Sequence, residues 1–257
     1  MSKAIRRAVK ILDLLAEEGP QRFTQIVKNL GLSKSSTHDI LSTMEAENLV
    51  LKDPDERRYF LGTRLMKLAR ESQPNVDLKR AAAKALEELR TAFDETVFLA
   101  ILENDRQIII DFRESSQALR TGVSPGTRDY LYYTSLGKAM MAFMRDERIE
   151  MITARCKLEK RTENTIVDTV AFKEELKKIR ERGYAVDNME HSDWVRCVGA
   201  AIRNHSGDVF AAISVSGPPN RLKLQDIPTI GKLVREKADE ISKKLGYRSQ
   251  THVVGRY

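Results

Sequence analysis

The stretch Thr24 to Glu47, TQIVKNLGLSKSSTHDILSTMEAE, decides how the first quarter of this chain is read. Thr24 is placed to cap a short helix through Leu30, Gly31 permits a tight turn, and Ser33 caps a further helix from Lys34 to about Glu47. Ile40, Leu41 and Met44 give that last helix a face to bury. Its first turns carry Lys34-Ser35-Ser36-Thr37-His38-Asp39 instead, hydrogen-bonding side chains with two that can bear positive charge. Helix, turn and polar-faced helix is the order in which a helix-turn-helix meets double-stranded DNA: the second helix enters the major groove and the first crosses the backbone.

The flanking sequence completes a domain. Before it, Ile5, Val9, Leu12 and Leu15-Ala16 recur at helical spacing from Ser2 to Glu18, and Gly19-Pro20 stops the pattern. After it, Leu49 to Lys52 and Arg57 to Leu61 read as two strands about the turn formers Asp53-Pro54-Asp55-Glu56, a hairpin that makes the wing. The candidate DNA contacts are Arg22, Thr24, Ser33, Lys34, Ser35, Ser36, Thr37, His38, Arg57 and Arg58. Hydroxyls and the helix start suit phosphate oxygens, while Lys34 and His38 can reach either phosphate or base edges.

A helical stretch from Thr63 to Glu71 follows, broken at Gln73-Pro74-Asn75. Beyond it, Leu78 to Phe93 is amphipathic, and Thr96 to Leu102 and Gln107 to Phe112 pair as a hairpin. Leu119 to Val123 is a further candidate strand, Ser135 to Met144 and Phe172 to Arg182 are helices, and Tyr184 to Asn188, Arg196 to Ile202 and Val209 to Ser216 are strands. A final helix spans Leu224 to Leu245. The expected fold is α+β in two domains: a winged helix-turn-helix at 1–62, a linker helix at 63–76, and an effector-binding domain at 77–246 with a mostly antiparallel sheet flanked by helices, before a polar tail at 247–257.

Composition sets the outer limits. With 257 residues, 41% hydrophobic and 32% charged, the chain has enough apolar material for two cores, which excludes a disordered protein. Its longest apolar runs, Ile108 to Ile110 and Val209 to Val215, fall far short of the roughly 20 residues of a membrane span. No signal-peptide pattern opens the chain, and Cys156 and Cys197 form no CxxC pair, so a cytoplasmic protein with no membrane partner is expected. The net charge of +7 permits a polyanion but does not locate it, because residues 1–62 hold ten Lys/Arg against nine Asp/Glu. There is no P-loop, dinucleotide fingerprint or serine elbow, and the expectation is that the chain is not an enzyme.

Several motifs together resemble one family. Arg7-Ala8-Val9-Lys10-Ile11-Leu12, Gly31 to His38 and Arg58-Tyr59-Phe60-Leu61-Gly62 are similar, in order and spacing, to the DNA-binding part of IclR-type transcriptional regulators. Tyr133 to Ala139, Arg182 to His191, Val195 to Val198 and Ala212 to Pro218 resemble that family's effector-domain signature. The resemblance implies a GAF-like effector domain, a homodimer or homotetramer, and a small-molecule effector, an organic acid being the class expected. Carried over by position, its ligand pocket falls at Leu119, Tyr130, Ser135, Leu136, Asp187, Cys197, Ser214 and Ser216. Two positions depart from the family: Asp39 stands where arginine is common, open to accepting from a cytosine amino group or to pairing with Arg22 or Lys28, and Ser192-Asp193-Trp194 replaces smaller residues.

One rival reading uses the same region. Asp187, Glu190, His191 and Cys197 are all zinc-competent types in a short stretch and would serve a metal sensor or a hydrolase-like site. Their spacing is neither CxxC nor HExxH, so the expectation is no cofactor, with zinc as the alternative.

Overall fold

The computed structural model describes residues 2–71 and 74–247, which divide between Val76 and Asp77 into two compact units. In the first, α1 (Lys3–Glu18), α2 (Phe23–Leu30) and α3 (Lys34–Ala46) close round a core of Ile11, Leu14, Leu15, Ile26, Leu41 and Met44. The wing strands β2 (Val50–Lys52) and β3 (Arg58–Leu61) pair antiparallel with Val50 opposite Leu61, and Val50 and Tyr59 face the same core. A two-residue strand, β1 (Gln21–Arg22), joins the far side of β3, a pairing too short to leave any alternation in the sequence.

Two local expectations are corrected here. Thr24 does not cap α2: the helix starts at Phe23, Arg22 is the extended residue before it, and the Gln25 side chain accepts from the Arg22 amide at 2.8 Å. A glutamine reaching back from the helix's third position satisfies the entry amide, leaving Thr24 inside the first turn. The helix expected from Thr63 to Glu71 is α4 (Arg64–Glu71), but the one expected from Leu78 begins earlier. Helix α5 runs Pro74–Phe93, with proline where its missing N–H breaks no intrahelical bond. Residues 248–257 of the expected polar tail lie outside the described residues.

The second unit is a six-stranded antiparallel sheet with helices on both faces. Strands β4 (Thr96–Glu103), β5 (Arg106–Arg113), β6 (Arg128–Tyr130), β7 (Ala185–Asn188), β8 (Arg196–Arg203) and β9 (Val209–Gly217) lie in the order β6-β5-β4-β9-β8-β7. The period of two sorts their side chains. Val97, Leu99, Val198, Ala200, Ile213 and Val215 pack under α5 and α9 (Ile227–Lys244), whereas Phe98, Ala100, Ala185 and Ala212 face α6 (Ser135–Met141), α7 (Asp146–Cys156) and α8 (Thr169–Arg182). Asn104 and Asp105 turn the β4-β5 hairpin at φ of 48° and 64°, a left-handed pair that short polar side chains tolerate.

The expected strand at Leu119 to Val123 does not form; that segment is irregular chain, and the sheet edge is instead the three-residue β6. Its β-branched composition reflects a wall rather than a ladder, as the site makes plain. Helix α7 had no expectation, since its charged, mixed face hides the few buried residues Ile149, Ile152 and Cys156. Helix α9 begins at Ile227, after a single 3-10 turn at Leu224–Asp226.

Candidate functional site

In the first unit, α3 presents its N-terminal turns outward. Ser33 caps the helix, its Oγ accepting from the Ser36 amide at 3.4 Å. Lys34, Ser35 and His38 are exposed, and His38 lies edge-on to Phe23 at 6.4 Å between ring centroids. Ser36 is half-buried and accepts from the Arg7 guanidinium at 2.7 Å, a tie between α1 and α3. Thr37 is a correction: it is fully buried and its hydroxyl donates to the Ser33 carbonyl at 2.9 Å, so it braces the helix start and has no face for DNA. Asp39 sits 3.9 Å from His38 Nδ1; among the described residues it pairs with neither Arg22 nor Lys28. Arg22, Thr24, Arg57 and Arg58 are exposed, and Arg58 pairs with Glu56 at 3.2 Å.

In the second unit the same sheet register that builds the core assembles a cavity. Asp187 stands opposite Cys197, and Cys197 opposite Ser216, so one row across three strands carries a carboxyl, a thiol and a hydroxyl to the α6 face. The next row sets Gly199 opposite Ser214, itself opposite Phe98. Gly199 leaves room for α6: a Cβ there would meet the Ser135 backbone at 3.0 Å. Thr134 fixes the start of α6, accepting from the Gly137 amide at 3.1 Å while donating to Gln107 Oε1 at 2.7 Å.

Between sheet and helix remains a void of about 60 Å³, lined by Ser135, Leu136, Asp187, Cys197, Ser214 and Ser216 of the expected set. Leu119 and Tyr130 do not reach it. Leu119 is 70% exposed on the outer surface, and the Tyr130 ring carries the Arg106 guanidinium at 3.1 Å. Gln107, Thr121, Val123, Thr127, Asp129 and Val195 also line the void and were not among the pocket residues expected from the sequence. Gln107 and Asp129 meet only because β5 and β6 pair in that register, and Thr121 and Val123 arrive on the irregular segment that was expected to be a strand.

The electrostatics are set by burial. Desolvation pushes the Asp187 carboxyl up to about 7, against the pull of the Lys138 ammonium and of two amides, those of Glu190 at 2.7 Å and His191 at 3.2 Å, that donate to its Oδ1. Burial likewise raises Glu190, which pairs with the fully buried Lys138. Burial also depresses His191, whose ring stacks on Tyr133 with Asp129 3.5 Å from its Nε2. The Cys197 thiol is raised well above its ordinary value, by burial first and by Asp187 next. Asp187 thus neighbours Cys197 and holds the Glu190 and His191 amides, while the Glu190 carboxylate turns to Lys138 and the His191 ring to Tyr133 and Asp129. Among the described residues, no group of three or more His, Cys, Asp or Glu side chains is arranged to hold a metal ion.

The chain is similar to known proteins over nearly its whole length. Residues 71–243 match the model for the bacterial transcriptional regulator IclR C-terminal domain, and residues 4–54 match the IclR helix-turn-helix domain. It is 31% identical over 240 residues to the HTH-type transcriptional regulator BhcR of Paracoccus denitrificans, covering 93% of this chain and 86% of that one. The crystal structure of Thermotoga maritima IclR superposes with a TM-score of 0.76 at 30% identity, covering 95% of this chain and 98% of that one. An IclR homologue from Microbacterium hydrocarbonoxydans, complexed with 4-hydroxybenzoate, shares the fold with a TM-score of 0.84 at 20% identity, over 95% of this chain and 99% of that one.

Proposed function

The chain belongs to the IclR family of DNA-binding transcriptional regulators with a C-terminal effector-binding domain, and on that premise we propose which of its residues meet DNA and which meet the effector. Lys34, Ser35 and His38, exposed at the start of α3, read the major groove, while Arg57 and Arg58 hold phosphates from the wing. Ser33, Ser36 and Thr37 act behind them, fixing the helix that carries the readers. Ile5 and Val9 on α1 and Met66 and Leu68 on α4 are large apolar residues left exposed, which supports self-association into a homodimer through this unit. Two recognition helices then lie about one DNA turn, ~34 Å, or a multiple apart.

The effector is a small organic acid whose carboxylate sits in the α6 cavity. The observation that carries this reading is the set of buried hydroxyls, Ser135, Ser214 and Ser216, round a void that Phe98, Ile109 and Leu136 also line. Hydroxyls donate to a carboxylate, and Asp187, held protonated to about pH 7, donates as well. The 4-hydroxybenzoate bound by the Microbacterium relative is of the same class. On this reading the chain is a regulator without a reaction of its own, acting in the cytoplasm without a cofactor, and the support is that its relatives are named as regulators.

The test begins with selection of retained duplexes from a random pool, which gives an operator. Carboxylic acids are then titrated against the operator complex. An effector shifts operator affinity by roughly 5- to 150-fold. The pair Ser214→Ala and Ser216→Ala loses that response. A response that survives both substitutions places the effector elsewhere and overturns the assignment.

A further inference from the structure

Outside the cavity mouth lies a second space whose walls are almost wholly apolar. Leu119, Trp194, Val195, Pro218 and Pro219 line a groove of about 480 Å³. Thr121 and Val195 line both this groove and the inner void, so the two spaces adjoin. Trp194, the only tryptophan of the chain, is 80% exposed there and Leu119 is 70% exposed. Two large exposed apolar side chains lining one groove form an apolar patch of the kind that marks a binding surface.

The groove is built rather than incidental, because buried or paired arginines hold its walls by their backbone. Arg196, 5% exposed, donates to the Pro219 carbonyl at 3.1 Å and to that of Leu222, which pins the proline wall. Arg221 holds the opposite wall: its Nη2 donates to the Leu119 carbonyl at 2.8 Å and to Glu95 Oε2 at 2.9 Å. Glu95 itself is buried, so the anchor is fixed to the sheet. On the third side, the Val195 amide donates to the Ser192 carbonyl at 3.2 Å, a turn that sets Trp194 at the rim.

Size decides what the groove takes. The inner void of about 60 Å³ has the room of roughly two waters at ~30 Å³ each, enough for a carboxylate and one or two carbons. Ligand pockets for larger molecules run to about 300 Å³ or more, which the void reaches only together with the groove. We propose that the effector is an acid with an apolar tail, its carboxylate at Ser214 and Ser216 and its tail passing between Thr121 and Val195 to lie against Trp194 and Leu119. This rests on the acid-in-cavity reading above and adds the tail subsite, with Trp194 as its specificity-determining residue.

The experiment uses the full chain and straight-chain carboxylates from acetate to octanoate, followed by calorimetry and by Trp194 emission. From butyrate onward each added methylene tightens binding by about fourfold, and the emission shifts to the blue as the ring is covered. In Trp194→Ala the gain per methylene falls by about half or more, since one wall of the groove is gone. Affinity that levels off at propionate, or that rises with Trp194 emission unmoved, overturns the tail subsite, and so does failure of every member to bind. The head group is read separately: Ser214→Ala with Ser216→Ala weakens all chain lengths alike. If chain-length gain and emission shift persist while that variant binds as tightly as the parent, the cavity reading has failed and the proposal falls with it.

Discussion

Replacing Asp187 by asparagine isolates the group whose ionisation the fold controls most directly. Its carboxyl is 1% exposed, and burial lifts it from the usual 3.8 to about 7. The folded state therefore keeps a proton that the unfolded chain has already released over this interval. Asp187 contributes its full stabilisation below pH 3.8 and loses it as pH rises through 7. At about 1.36 kcal/mol per pH unit the whole interval amounts to about 4 kcal/mol, of which about 3 kcal/mol falls between pH 5 and 8. Asparagine keeps the Oδ1 acceptor for the Glu190 and His191 amides but does not titrate. Urea unfolding of parent and Asp187→Asn at pH 5, 6, 7 and 8, followed in the near-ultraviolet where the tyrosines report, measures the difference. The expected outcome is a parent that loses about 3 kcal/mol relative to the variant across that range. Parallel stability curves would mean that Asp187 ionises in the ordinary carboxylate range and that burial does not hold its proton. The same proton couples to the effector: a carboxylate beside Asp187 favours its neutral form, so above pH 7 affinity falls up to about tenfold per pH unit in the parent and stays flat in the variant.

Three further outcomes follow from the geometry. Lys138→Met strands the buried Glu190 carboxylate, whose Oε2 has no hydrogen-bond partner among the described residues even in the parent, and lowers stability by about 3 to 5 kcal/mol; adding Glu190→Leu restores most of it in thermal unfolding, and a double variant no better than the single one counts against the pair. Gly137→Ala puts a Cβ 2.2 Å from the Leu131 carbonyl oxygen, so calorimetry registers a loss of about 1 to 3 kcal/mol or more, and a neutral result would mean that α6 moves freely on its support. Arg57→Ala reduces the salt slope of operator binding by about one and Arg58→Ala by less, because Glu56 already shares its charge; Thr37→Val, being buried, leaves the slope unchanged, and a lower slope for it would return Thr37 to the DNA surface.

The sequence by itself determined most of the elements and the faces they bury. Ser33 as a cap, the apolar set Leu41 and Met44 on α3, the β4-β5 turn and the alternation along β9 are local: each depends on neighbours within four residues, where steric and hydrogen-bonding preferences act directly. The hydroxyl row was half legible, since period two puts Ser214 and Ser216 on one face whatever the sheet around them. Tertiary structure alone decided what that face meets. Strand register joined Asp187, Cys197 and Ser216 across positions far apart in the chain, and pairing of β5 with β6 brought in Gln107 and Asp129. It also decided where patterns mislead: Thr37 looks like a DNA contact but is buried, and Leu119 to Val123 looks like a strand but is irregular chain that lines the void and the groove. The physical reason is the same throughout. Local backbone preference acts over a few residues, whereas burial, the pKa of Asp187 and the size of a void depend on which distant segments pack together.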